Sequence, residues 1–183
     1  DDVLTQLSQS RSSLEVLVEQ GKSVDTKALE WVLFDLSTKA AESTWERLIA
    51  KHLEQVQRDI IDLLDDEVTE KDLDPDSLVR FVGLAADYIR DSATDALAKI
   101  TLPLIVSTGT SAVKRAAAQT GISFGVLQPG LLDFADEESK FLARVMGKTT
   151  GEKVAQIVQE SLGRGETIGG LRKALQESAA FSR

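Results

Sequence analysis

Between Ser23 and Asp74 the chain carries neither glycine nor proline. Along this stretch Leu29, Leu33, Leu36 and Ala40 step by four, three and four. Ile49, Leu53, Val56, Ile60 and Leu63 step by four, three, four and three. That is the apolar stripe of one helix face, sustained over roughly ten turns. A helix of this length packs against an equally long partner, or it bends. Thr44 stands where an apolar residue is due, with Trp45 beside it. The expected bend or break is therefore at Ser43-Thr44.

The partner is expected next. Asp74-Pro75-Asp76 supplies an N-cap, a proline at the first helical position and an acid in the first turn. Leu78, Val82, Ala85, Ile89, Ala93, Ala96 and Ile100 then step by threes and fours, and the alanines permit close approach of a second helix. Pro103 is expected to kink or end this helix. Leu104-Ile105-Val106 reads as a helical turn or a short strand, Ser107 to Ser111 as a joint around Gly109, and Val113 to Gln119 as helix capped by Gly121. Residues 121–133 read as a loop in which Ile122, Phe124, Val126 and Leu127 offer a second place for a strand. Three short helices are expected after it. The first covers about 136–146, with Phe141, Leu142 and Val145 inward. The second opens on the capping box Thr149-Thr150-Gly151-Glu152, carries Val154, Ile157, Val158 and Leu162, and ends at Gly163 to Gly165. The third opens at Thr167 and carries Ile168, Leu171 and Leu175. Residues 1–20 make a weaker helical pattern. The expected fold is mostly α: long antiparallel helices over 1–120, then a subdomain of short helices over 121–183, with room for minor β structure near 104–127.

A length of 183 residues suits one domain, or a domain with an arm. No unbroken run approaches 18 apolar residues, so a membrane-spanning helix and a membrane partner are not expected. There is no cysteine and one histidine, His52. Disulfides, thiolate metal sites and cysteine nucleophiles are thereby excluded. No second ligand stands at helical spacing from His52 (Leu48, Ile49, Gln55 and Val56 fill those positions), so it reads as an ordinary packed histidine. Asp72, Asp74 and Asp76 alternate like a calcium loop, but Ser77 and Gly83 stand where that loop needs Gly and Glu. Gly21-Lys22-Ser23 lacks the earlier glycine of a P-loop, and Gly163-Arg164-Gly165 lacks the third glycine of a dinucleotide motif and a preceding strand. Asp65-Asp66-Glu67 lies in a solvated acidic run without an aromatic platform. No enzyme activity, cofactor or metal is expected.

Charge is uneven. Residues 1–100 hold 22 acids and 11 bases; residues 101–183 hold 8 acids and 10 bases. The acidic first part is a poor match for phosphates, so protein partners are expected rather than nucleic acid. Trp31 and Phe34 lie close together and Trp45 follows a few turns later. Two readings stand for them: core packing between long helices, or a partner-binding stripe. The chain begins at Asp1 without an initiator methionine, and is expected to be an excerpt of a longer polypeptide.

The order of pieces in the C-terminal third is informative: Phe141-Leu142-Ala143-Arg144-Val145, then Thr149-Thr150-Gly151-Glu152, then Val154 to Leu162, then Gly165-Glu166-Thr167-Ile168-Gly169-Gly170-Leu171, then Leu175. This order resembles the phage Mu F-like family of head morphogenesis (minor capsid) proteins. In that family a short helix precedes a paired-threonine helix start, an amphipathic helix follows, and a glycine and a small hydroxyl residue open another short helix. In the family an arginine-rich helix with an Ala-Arg-Thr-Glu type signature follows, and it would begin at about Arg183. The resemblance covers about 121–183. It implies a structural protein of a tailed phage or prophage, binding portal or capsid subunits, in the virion or procapsid and, during assembly, in the host cytoplasm; self-association is the other partner expected. It supplies no catalytic residue. The alternative from the periodicity alone is a helical adaptor or oligomerisation module without catalytic activity.

Overall fold

A computed structural model describes residues 26–68, 74–121 and 129–181, the side chains of 26–37, 120 and 129 excepted. The described residues are mostly helical and contain no strand: α1 (Thr26–Glu67), α2 (Pro75–Tyr88), a π-helical turn (Ile89–Ala93), α3 (Thr94–Thr120), α4 (Pro129–Gly163) and α5 (Ile168–Gln176). The mostly α expectation holds. The chain divides into two compact units, Asp1–Glu46 and Arg47–Arg183.

In the first unit the expected break at Ser43-Thr44 does not occur. Helix α1 runs through it, and the Thr44 hydroxyl donates to the Ala40 carbonyl at 2.9 Å. A threonine in this back-bonded state satisfies itself within the helix and needs no break.

The second unit is built around one core. Val56, Ile60 and Leu64 of α1 meet Leu78, Phe81 and Ala85 of α2, Ile89 and Ala93 of the π turn, Val154, Ile157 and Val158 of α4, and Leu171 and Leu175 of α5. Helices α1 and α2 are antiparallel: the Tyr88 hydroxyl donates to Asp59, and Arg80 lies 3.7 Å from Glu67 nearer the connection. The cap of α2 is as its sequence requires, with the Ser77 amide donating to Asp74 Oδ2 at 3.1 Å and Pro75 at the start. Helix α5 is fastened to α1 by Gln57, whose Nε2 donates to the carbonyls of Leu175 and Gln176, each at 2.9 Å. These are carbonyls of the last helical turn, which the regular helix bonding leaves short of partners; that of Leu175 also accepts from the Ser178 amide at 3.4 Å.

Beyond the core, α3 and the first half of α4 form an antiparallel hairpin. Its seam is made of small residues: Thr94 and Thr101 on α3, Ala135, Ser139, Ala143 and Gly147 on α4. The two ends of the seam are fixed by close approaches. A Cβ on Gly147 would lie 2.5 Å from the Thr94 hydroxyl, and one on Gly109 2.8 Å from Leu131 Cδ1.

Three expectations are corrected here. Pro103 neither ends nor interrupts α3, which passes through Pro103, Leu104-Ile105-Val106 and the supposed joint at Ser107 to Ser111. The freed backbone group is tolerated because Pro103 is on the solvent side. The strand expected near 104–127 is therefore helix as far as Thr120, and its remainder, 122–127, lies outside the described residues. The separate helices expected over 136–146 and 149–162 are one helix of 35 residues. Thr149 is not a cap; its hydroxyl donates to the Val145 carbonyl at 3.0 Å. Gly147 and Thr150 lie on the packed face, so tertiary contact holds the helix through a sequence that favours a start.

Because α3 continues through Pro103, the exclusion of a membrane span also fails as stated. By length and composition alone, one helical stretch within Pro75–Gln119 is long and apolar enough to cross a membrane. Counting unbroken apolar runs missed it because Ser, Thr and Gly lower the average little. Its partner α4, however, carries seven charged residues between Asp133 and Lys148, and each would cost several kcal/mol, about 3, at the centre of a bilayer.

The two remaining helix ends follow their glycines. Gly121 has φ 69° and its amide donates to Ala117. Gly165 has φ 64°, with Gly165 and Glu166 amides donating to the carbonyls of Leu162 and Ser161, both at 3.0 Å. That is the Schellman pattern, and it turns the chain into α5, capped by Thr167 on the Gly170 amide at 3.3 Å.

Candidate interaction surface

The π turn is where three helices converge. Its widened backbone keeps Ala85, Ile89, Ala93, Leu97 and Thr101 on one buried face although they step by four throughout. In a plain α-helix such a run drifts about 40° per step. The Thr94 hydroxyl donates to Ile89 O at 2.7 Å, five residues back.

His52 packs against this turn, beside Val56, Leu97, Ala143 and Gly147, around a space of about 10 Å³. That is at the lower limit for one water, so the histidine is a packed side chain. Burial pushes its pKa down, opposed by a hydrogen bond to the Ala93 backbone and by the charge of Asp59. The unfolded chain holds the proton with a value near 6.5. Stability is therefore full above that pH and is lost as the pH falls toward the lower folded value. Urea unfolding at successive pH values is expected to show this fall with a slope below about 1.4 kcal/mol per pH unit, and His52→Gln is expected to flatten it.

Between α1 and α2 lies an open groove of about 500 Å³, walled by Asp59, Asp62, Asp66, Asp87 and Asp91 and floored by Leu63, Leu84 and Tyr88. The signal was in the spacing, since 59, 62 and 66 share one helix face and 87 and 91 another. Arg90 spans Asp87 and Asp91 at 2.8 and 3.1 Å. The Tyr88 phenol is raised in pKa, first by burial and then by its bond to Asp59. Among the described residues no group of three or more acidic or histidine side chains is arranged to hold a metal ion. Asp65, in the acidic run, is paired with Arg172 of α5.

The surface that stands out is on the hairpin. Phe134, Phe141 and Val145 are 56%, 52% and 49% exposed. They step by seven and four along the face of α4 turned away from α3. The expectation that Phe141 and Val145 point inward is thus corrected: Ala143 and Ser139 are buried in their place. Small residues win the inward side because α3 approaches too closely for a phenylalanine to fit between. The sequence does carry the clue, for Ala135, Ser139, Ala143 and Gly147 step by four.

Of the residues expected to bind a partner, Trp31 and Phe34 fall on α1 with side chains outside the described ones, and Trp45 is half-buried. Nothing brings these three into one described site.

Fold and surface together define a mostly α protein with a row of exposed apolar side chains on its hairpin. No protein-family model, curated protein or solved structure matches the chain.

Proposed function

We propose that this chain is an assembly protein that acts by docking helix faces, not by catalysis. The observation that carries the reading is the uncovered stripe Phe134, Phe141 and Val145 on a hairpin arm outside the core. Large apolar side chains held in a row on a stiff helix, rimmed by charge, are the make-up of an interface. The setting we propose is the head of a tailed phage, with portal or capsid subunits as partners. This part rests on the order of sequence pieces from Phe141 to Leu175. The test is co-expression with the portal and major capsid proteins of the same gene cluster. The wild-type chain is expected to co-purify with one of them, and Phe134→Ser/Phe141→Ser to lose it while keeping its helical circular dichroism. Equal recovery of wild type and variant with neither protein would remove the phage setting.

A second reading, an oligomerisation module unrelated to phage, is favoured by one specific observation. The family start at Thr149-Thr150 lies inside the continuous helix α4 instead of opening a new one.

A further inference from the structure

Resting on the reading of the hairpin face as a docking surface, we propose that its occupant is a second copy of this chain, laid antiparallel across it. The argument is charge and shape in register. At 100° per residue, Asp133, Glu137, Arg144 and Lys148 fall on one flank of the Phe134–Phe141–Val145 stripe, and all four are exposed. The acids lie toward the hairpin tip and the bases toward the core. When two identical helices pack about a two-fold axis, antiparallel, the same flank of each faces the other, and every contact occurs twice.

A single axis then satisfies both charge pairs. The midpoint of Asp133 and Lys148 and the midpoint of Glu137 and Arg144 fall at the same point, between Lys140 and Phe141. The same axis sets the apolar residues. Phe141 stands beside Phe141 of the second copy. Phe134 comes within about 3 Å along the axis of the other copy's Val145, at 1.5 Å per residue. A parallel pairing would put this flank against the opposite one, where Glu138, Leu142 and Thr149 lie, and would offer Arg144 and Lys148 only Glu138, about 9 and 15 Å away along the axis at 1.5 Å per residue. Near the axis Lys140 meets its own copy, but it is already tied to Asp136 at 2.7 Å. The contact spans about 20 Å of helix, so the dimer is of modest size.

The test is sedimentation velocity of the full chain in low salt over roughly 1 to 100 µM. A monomer–dimer equilibrium is expected. Glu137→Arg and Arg144→Glu are each expected to weaken it at least tenfold, with unchanged thermal midpoint, and the double variant Glu137→Arg/Arg144→Glu to return it to within about threefold of wild type. Phe141→Ser is expected to abolish it. A dimer indifferent to both single reversals would overturn this arrangement. A wild-type monomer at all concentrations would overturn self-docking, and the co-expression result then decides the parent reading: loss of a portal or capsid partner in Phe134→Ser/Phe141→Ser keeps the face as a docking surface with another occupant. Sedimentation of wild type, but not Phe141→Ser, with phosphatidylcholine vesicles would also overturn the proposal, in favour of a lipid occupant.

Discussion

Replacing Phe81 by alanine is expected to remove about 3–5 kcal/mol of stability. Phe81 is fully buried, and it lies in the cluster where α1, α2, α4 and α5 converge. The loss has two parts. One is the transfer free energy of the ring, and the other is a cavity that four helices from distant parts of the chain cannot close by shifting together. A typical domain has only about 5–15 kcal/mol in total, so the variant is expected to be partly unfolded near body temperature. Guanidinium unfolding checks it: the midpoint should fall steeply with little change of slope. Val82→Ala is the control. Val82 is only partly buried and packs against the edge of the cluster, so its loss should be a fraction of that of Phe81.

Gly147→Ala is expected to lower stability by about 1–3 kcal/mol, against the usual rule that alanine stabilises a helix interior by about 1 kcal/mol over glycine. The added carbon would lie 2.5 Å from the Thr94 hydroxyl and 3.6 Å from the Ile89 carbonyl oxygen. That hydroxyl is bonded into the π turn and cannot swing aside without giving up its partner. Relief would require α3 and α4 to separate along their seam. Gly109→Ala supplies the contrast. Its new carbon meets the far end of the Leu131 side chain, which can turn, so the variant should be near neutral. Thermal unfolding of the pair settles the matter. A near-neutral Gly147→Ala would mean that the seam is softer than its geometry implies, and a Gly109→Ala as costly as Gly147→Ala would mean that Leu131 cannot turn.

Much of this fold is legible in the sequence, and the failures share a cause. The apolar steps of α1, the Asp74-Pro75 start, the Gly121 stop and the Thr167 cap are local signals, and local hydrogen bonds decide them. Pro103, Ser107 to Ser111 and Thr149-Thr150 are local signals too, but there a second helix supplies contacts that outweigh them. The inward face of α4 was misassigned for a related reason. Hydrophobic periodicity finds the larger side chains, whereas the hairpin is held by small ones, and the phenylalanines are left on the outside. The acidic groove could be read from Asp59, Asp62 and Asp66 but not its depth, which depends on α2 lying alongside. After the π turn the stripe is displaced by one, with Leu97 and Thr101 buried instead of Ala96 and Ile100, because no sequence pattern announces such a turn; before it, Phe81 takes the buried place expected of Val82.

That turn holds one residue more than the helix needs. Removing any one residue of Ile89–Ala93 would restore an ordinary α-helix without touching a loop. The widened turn already absorbs that residue, so everything after it would keep nearly the same bearing about the helix axis. The surplus residue is therefore a tolerated insertion. It makes the buried positions from Ile89 through Ala93 to Leu97 two steps of four where a plain helix would mix threes and fours, while the arm leaves the core in the direction a plain helix would give it.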